Sequence, residues 1–121
     1  MGISQMTNKV IGDKKRWREF KRRVAALPPS YQTAVEGMMR YFTHLGGMDD
    51  AESILTMLDD LATLFEQAAA DGTPVRVVVG EDPVEFAEAF LSNYPAGKWI
   101  KRERNRLTQA IAEAEAMEAS A

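Results

Sequence analysis

Apolar residues recur at helical spacing from the start of the chain. The first set is separated by 7, 3, 4 and 3 residues, which predicts one apolar stripe along a helix: Val10, Trp17, Phe20, Val24 and Leu27. Residues 1–6 carry no pattern and are expected to fray. Asp13 interrupts the stripe, so the helix either starts near Asp13 with that side chain as its cap or is irregular there. Pro28 and Pro29 end it.

The next two helices are bounded by proline, glycine and aspartate. Pro29 or Ser30 begins the second, which carries Tyr31, Val35, Met38, Phe42 and Leu45 and stops at Gly46-Gly47. Asp49 or Asp50 caps the third, with Glu52 completing a capping-box pattern with Asp49, and Asp71-Gly72 ends it. The third helix is apolar on a broad face, which predicts that it is the central one: Ile54, Leu58, Leu61, Phe65 and Ala68, widened by Leu55, Met57, Leu64 and Ala69.

Residues 73–80, TPVRVVVG, have two interpretations. The valines favour a strand, but the chain offers no second strand to pair with it. A short helix, with Thr73 as cap, Pro74 in the first turn and Gly80 as terminator, places Val75, Val78 and Val79 on one face. The helix is the preferred interpretation.

Two more helices complete the pattern. Asp82-Pro83-Val84-Glu85 is a strong helix start, and the apolar face that follows is Val84, Ala87, Phe90 and Leu91. Residues 94–97, YPAG, break this helix. The last one runs from Lys98 to about Met117, with residues 117–121 expected to fray. Its inward residues are predicted to be Ile100, Leu107, Ile111 and Ala114.

The length and composition fit one domain spanning residues 1–121. The chain has 121 residues, 45% hydrophobic and 27% charged, with no cysteine. Disulfides and thiolate metal sites are therefore excluded. No apolar run is long enough to span a membrane, and the N-terminus lacks the core of a secretory signal. These features predict a single all-α domain of about five helices in the cytoplasm.

The charges are segregated along the sequence. Lys9 to Arg23 holds eight basic and two acidic residues, Asp49 to Glu88 holds eleven acidic residues and only Arg76, and Lys98 to Arg106 holds five basic residues and Glu103. We expect the basic terminal helices to lie against the acidic central ones, within the fold or across a dimer. The alternatives are a basic face free for nucleic acid, which the pI near 5.2 disfavours, or one that meets an acidic protein.

The sequence offers little catalytic chemistry. His44 is the sole histidine and lies where a helix C-terminus needs a donor, so capping is the preferred role. Asp49, Asp50 and Glu52 are accounted for by capping, and the Asp59-Asp60 pair is assigned to the solvent side of its helix. Phosphate-binding and nucleophile motifs are absent. We therefore expect no enzymatic activity, no metal and no cofactor.

The candidate partner-binding residues come from the two basic segments. They are Arg16, Arg22, Arg23, Trp99, Lys101 and Arg102. Trp17 is assigned to the core stripe of the first helix. Trp99 could stack on a base, but packing of its helix against the core is the preferred interpretation. Among the methionines, Met38 and Met57 are assigned to the core, and Met39, Met48 and Met117 are candidates for the surface.

Three segments of the chain are together similar to a bacterial family of small helical proteins, domain-of-unknown-function family 1048. They are KKRWREFKRRVAALP from Lys14, DDLATLFEQAAADGTPVRVVVGEDPVEFAEAFLSNY from Asp59, and WIKRERNRL from Trp99. The most specific part is GxxVxxxxGxDPVEFAEAF, which starts at Gly72. The resemblance implies a superhelical all-α domain that is helical before Gly80. The resemblance also implies that the gene often lies beside a gene for a PadR-type transcriptional regulator. The family has no assigned catalytic residues, so none is carried over to this chain.

Together these features predict a non-enzymatic helical protein-interaction module with a regulatory or accessory role. The expected partner is a protein, either a second copy of the chain or a PadR-type regulator. Nucleic-acid binding through the basic terminal helices is the alternative, and no membrane contact is expected.

Overall fold

The computed structural model describes residues 2–46 and 50–120, with side chains from Ile11 onward, and within these ranges it contains six α-helices and no strand. The helices are α1 (Gly2–Ala25), α2 (Pro29–Leu45), α3 (Ala51–Asp71), α4 (Val75–Val79), α5 (Pro83–Ser92) and α6 (Lys98–Ser120), and a 3-10 turn (Pro95–Gly97) precedes α6. The predicted all-α class is confirmed, with one helix more than the approximate count.

Most predicted helix ends are confirmed. Proline opens α2 and α5, where its missing N–H costs no helical hydrogen bond. The Asp50 carboxylate accepts from the Ser53 N–H, and that of Asp82 accepts from the N–H groups of Val84 and Glu85. Gly72 ends α3 in the left-handed conformation, with φ +70°. The predictions for Gly47, Met48 and Asp49 lie outside the described residues.

The core is built around α3, as its broad apolar face predicts. Eight of its residues are buried, and they pack with one side of α1, α2 and α5. The largest fully buried side chains come from four helices, α1, α2, α3 and α5: Phe20, Val35, Phe42, Met57, Leu61, Phe65 and Leu91. Met38 and Met57 are buried as predicted, and Met39 is partly buried against this core.

Residues 75–79 form the helix that was preferred over a strand. Val75, Val78 and Val79 are half-buried, whereas Val77 faces solvent, so the predicted face is correct. The cap differs from the prediction, because Pro74 occupies the N-cap position and no side chain bonds to the first turn.

Two expectations for α1 are wrong. The helix begins at Gly2 rather than near Asp13, since no proline interrupts the first turns and a helix tolerates Gly12. Residues 2–6 are included in this helix, and their fraying stays a prediction. Trp17 is 39% exposed rather than fully in the core, because it stacks on Phe20 at the edge of the α1–α2 contact.

The prediction for α6 is wrong over most of its length. Ile100 is buried, but Leu107, Ile111 and Ala114 are exposed, and so is every residue from Lys101 to Ser120. The reason is geometric: α6 has 23 residues, whereas α5, its main neighbour, has ten. The helix continues to Ser120, and the fraying of residues 117–121 stays a prediction. Val84, at the start of α5, is 48% exposed although it was assigned inward.

None of the described helices is both long enough and apolar enough to cross a membrane.

Candidate interaction surface

The basic helix α1 lies against the acidic helix α3. Arg16 donates to the Asp59 carboxylate at 2.8 Å, and Arg23 donates to Glu66 at 2.6 and 3.1 Å. These hydrogen bonds hold the pKa of the Glu66 carboxyl below its usual range and raise the pKa of the Arg23 guanidinium. Part of the basic N-terminal charge is therefore neutralised within the fold, as the first of the three charge interpretations expects.

Glu88 of α5 joins three helices. Its carboxylate accepts from the Tyr41 hydroxyl of α2 at 2.7 Å and pairs with Arg104 of α6 at 3.3 Å. The hydrogen bond to Glu88 raises the pKa of Tyr41. The Glu88 side chain is mostly buried, whereas Arg104 is more than half exposed. This cluster is therefore the last polar anchor of α6 on the body, by which we mean helices α1 to α5 and the 3-10 turn.

The 3-10 turn fixes where α6 leaves the body. The Ala96 N–H donates to the buried Ser53 hydroxyl at 3.3 Å, and the Tyr94 hydroxyl donates to the Asp60 carboxylate at 2.6 Å. Burial, helped by the hydrogen bond to Asp60, raises the pKa of Tyr94 to about 12. The sequence analysis assigned Asp59 and Asp60 to the solvent side of α3. Asp60 is exposed, as expected, but it binds Tyr94, and the partly buried Asp59 binds Arg16 of α1.

Beyond these anchors α6 projects from the body as a tail, which we define as residues 107–120. Fourteen helical residues span about 21 Å. Leu107 is 66% exposed, Ile111 54% and Met117 71%, so the tail presents large apolar side chains to solvent. Leu107, Ile111 and Ala114 are three or four residues apart and therefore form one apolar face.

The charges of α6 change sign along its length. The segment 98–106 carries five basic residues and Glu103, whereas the tail carries Glu113, Glu115 and Glu118 and no base. At the spacing of a helix, Arg104 and Glu118 lie on the same face as Leu107 and Ile111, one at each end. The exposed face is thus basic, then apolar, then acidic.

Two apolar clefts lie on the body. One, of about 470 Å³, is formed by α2, α4 and α5, with Met38, Val79 and Val84 among its walls. The other, of about 420 Å³, lies between α1 and α2 and includes Trp17 and Met39. Both are open at the surface, and their walls are mostly apolar, although Tyr41 and Arg76 line the first and Lys21 and Glu36 line the second.

The single histidine, His44, contacts the end of its own helix. The His44 ring Nδ1 lies 2.9 Å from the Arg40 carbonyl oxygen in the last turn of α2, which is the geometry of the predicted helix-end role. In the part of the chain that the structure describes, no three metal-ligating side chains of the His, Cys, Asp or Glu type are grouped to hold an ion.

The six predicted binding residues do not form one surface. Arg16 and Arg23 contact α3, and Arg22 pairs with Glu19 of its own helix. Trp99 packs against the core, as preferred, with its indole N–H buried and without an acceptor in the described part of the chain. Lys101 and Arg102 are exposed on α6.

The sequence analysis did not predict that the apolar residues of the tail are exposed. Leu107, Ile111 and Met117 were noted as inward or merely as surface candidates, yet they form the exposed apolar part of the tail. The helical spacing identifies such a face but does not say what covers it. The short length of α5 beside a long α6 was the available signal.

Most of the chain matches one protein-family model. Residues 8–112 match the model described as "Protein of unknown function (DUF1048)". No curated protein matches the chain.

Proposed function

Since this chain belongs to the DUF1048 family, whose function is unknown, its role has to be inferred from its surface, and we propose that it is a non-enzymatic helical module that binds another protein. The binding element in this proposal is the tail of α6. The proposed role is regulatory or accessory, in the cytoplasm.

The observation that carries the proposal is the exposure of Leu107, Ile111 and Met117 on a helix that has left its own body. Burying one large aliphatic side chain contributes about 1.5–3 kcal/mol, so leaving three of them in water forgoes a substantial part of the stability of a small domain. An isolated helix of this length is also marginally stable without packing. A partner that covers the apolar face supplies both the missing burial and the missing support.

The body supports this assignment because its ion pairs and the hydrogen bonds of the 3-10 turn do not involve the tail. The α1–α3 ion pairs, the Glu88 cluster and the 3-10 turn all lie before Leu107. The tail can therefore engage a partner without disturbing the core. The partner classes are a second copy of the chain and, from the family resemblance, a PadR-type regulator.

The test is co-purification with a tagged chain from cells that also express the untagged chain. The wild type is compared with Leu107→Glu/Ile111→Glu, which places charge on the apolar face, and with Gln109→Glu/Ala116→Glu, which adds the same charge on the opposite face. We expect at least one protein, the untagged chain included, to be retained by the wild type and the control and lost from the apolar-face variant. Identical sets of proteins on all three would contradict the proposal.

Nucleic-acid binding is the second candidate function, and a specific feature favours it. The side of α1 that does not contact α3 carries exposed cations: Lys14, Lys15, Arg18, Lys21 and Arg22. If these residues met phosphates, affinity for duplex DNA would fall steeply with salt through counterion release. We expect no binding at physiological salt. Micromolar binding that Lys14→Glu/Lys21→Glu abolishes would rank this candidate first.

A further inference from the structure

We propose that the partner of the α6 tail is the α6 tail of a second copy, packed antiparallel about a two-fold axis at Ile111. This inference rests on the proposed function and adds the identity of the partner and the direction of the contact. It follows from how apolar and charged residues are placed along one face of α6.

The face has the spacing of a two-helix seam. Its members are separated by 3, 4, 3 and 4 residues: Arg104, Leu107, Ile111, Ala114 and Glu118. All of them are exposed, and all except Arg104, which pairs with Glu88 of α5, lie in the tail. The small side chain of Ala114, with Ala110 beside it, lets a second helix approach to the usual interaxial distance of about 8–10 Å.

The charges on the α6 faces of two copies are complementary only when the two helices are antiparallel. Arg104 and Glu118 each lie seven residues from Ile111. An axis at Ile111 therefore brings Arg104 of one copy opposite Glu118 of the other, twice per dimer. A parallel pair would place Arg104 on Arg104 and Glu118 on Glu118, and would align the helix dipoles unfavourably.

Arg104 can take part while it keeps its internal contact. Its Nη2 is 3.3 Å from the Glu88 carboxylate, and more than half of the Arg104 side chain stays exposed. A guanidinium has five N–H donors in a planar fork, so one edge can bind Glu88 and another can bind the carboxylate from the second copy.

The apolar cleft between α2, α4 and α5 is a poorer place for the same tail. Its charged wall residue, Arg76, already donates to the Gly80 carbonyl oxygen. The exposed acids Asp82 and Glu85 lie next in sequence to its wall residues Pro83 and Val84. The tail brings three glutamates and no base, so docking there sets like charges side by side. Antiparallel pairing of two α6 helices avoids this repulsion.

The first experiment is cysteine cross-linking in the full chain, which has no native cysteine. Ile111→Cys lies on the proposed axis, so mild oxidation should join two copies quickly. Leu107→Cys should not cross-link to itself, because two such residues are offset by eight residues, about 12 Å along the helices, beyond disulfide reach. Gln109→Cys, on the opposite face, is the control for random collision. A parallel pair would cross-link through both position 107 and position 111.

The second experiment uses charge reversal and measures molar mass by light scattering. Arg104→Glu and Glu118→Arg should each weaken the dimer, because each creates two like-charged pairs. A mixture of the two variants should dimerise more strongly than either variant alone, because one contact then joins the two reversed residues and the other joins the native Arg104 to the native Glu118. Circular dichroism of each variant checks that the fold is retained. Ile111→Glu should weaken dimerisation by about thirtyfold or more.

The outcomes separate this inference from the proposed function. A wild-type chain that stays monomeric, yet retains a different protein through Leu107 and Ile111, overturns the second-copy assignment and leaves the function standing. A dimer unaffected by Ile111→Glu and by charge reversal overturns the α6 interface. A monomer with no partner that depends on Leu107 and Ile111 overturns both.

Discussion

Gly97 controls how closely the 3-10 turn packs on the end of α5. A Cβ built at this buried glycine would overlap the carbonyl group of Leu91, which is backbone and cannot rotate away. The exit of α6 therefore depends on the absence of one side-chain atom. The YPAG break in the sequence indicated a turn here, but not that its glycine is required by a close approach.

We predict that Gly97→Ala destabilises the protein by about 1–3 kcal/mol, because the turn must move away from Leu91. Gly37→Ala is the matched control: nothing lies within 4 Å of a Cβ at that position in α2, and alanine favours helix by up to about 1 kcal/mol over glycine. Thermal unfolding followed by circular dichroism measures both. Equal melting temperatures for the two variants would contradict the close approach.

Tyr94 makes part of the stability dependent on pH. Its pKa is raised to about 12 in the folded protein, mainly by burial and then by the hydrogen bond to Asp60, against about 10 in an unfolded chain. A raised pKa means that the protonated hydroxyl stabilises the fold. This contribution is complete below about pH 10 and is lost as the pH rises from about 10 to about 12.

We predict that Tyr94→Phe is less stable than the wild type by about 1 kcal/mol at neutral pH and that this difference shrinks above about pH 10. Phenylalanine keeps the packing on Phe90 and removes only the titrating group. Urea unfolding at neutral and alkaline pH gives both free energies. A difference that is constant with pH would mean that the hydroxyl does not titrate with folding.

At the scale of helices, the sequence correctly predicts the features that are set by residues close together in the chain. The caps at Asp50 and Asp82, the proline starts and the terminating glycines are local, and they are confirmed. The central place of α3 follows from a face too wide to be left in water.

The predictions that failed depend on distant parts of the chain. Whether Leu107 and Ile111 are covered is decided by how far α5 extends beside α6, and the exposure of Trp17 by where α1 crosses α2. The pairing of Asp60 with Tyr94 joins residues 34 positions apart. Periodicity identifies an apolar face or a charged pair, but it does not identify the partner.

Removing part of α6 and removing α1 should have different effects on stability. A chain that ends at Arg106 loses none of the buried residues of the core, so at concentrations where both chains are monomeric we expect its melting temperature to equal that of the full chain. Deleting residues 1–27 removes Phe20, Val24 and Leu27 from the core. At about 3–5 kcal/mol for a buried phenylalanine alone, we expect that chain to unfold or aggregate.

The same melting experiment has a clear contrary result. A large loss of stability in the monomeric chain ending at Arg106 would mean that the tail packs on its own body. A stable, monomeric chain lacking residues 1–27 would mean that α1 is a free arm, and would favour nucleic acid or an external partner for its cations.

At the scale of the whole molecule, charge segregation in the sequence becomes neutralisation in the fold. Arg16 and Arg23 face acids of α3, and Arg104 faces Glu88 of α5. Segregation remains on the outer side of α1, which is basic, and on α6, which is basic where it leaves the body and acidic in its tail. One chain cannot bring these two halves together on a straight helix, whereas two antiparallel chains can.

Hydrogen exchange of the full chain, measured at low and at high protein concentration, tests the central claim that the tail is an interface free of its own body. We predict that the amides of α3 are protected from exchange at both concentrations. The amides of residues 107–120 should exchange quickly in dilute protein and become protected as the protein concentration rises. The Ile111→Glu variant should lose this dependence on concentration. Tail amides that are equally protected in dilute wild type and in Ile111→Glu, or that stay unprotected at every concentration, would contradict it.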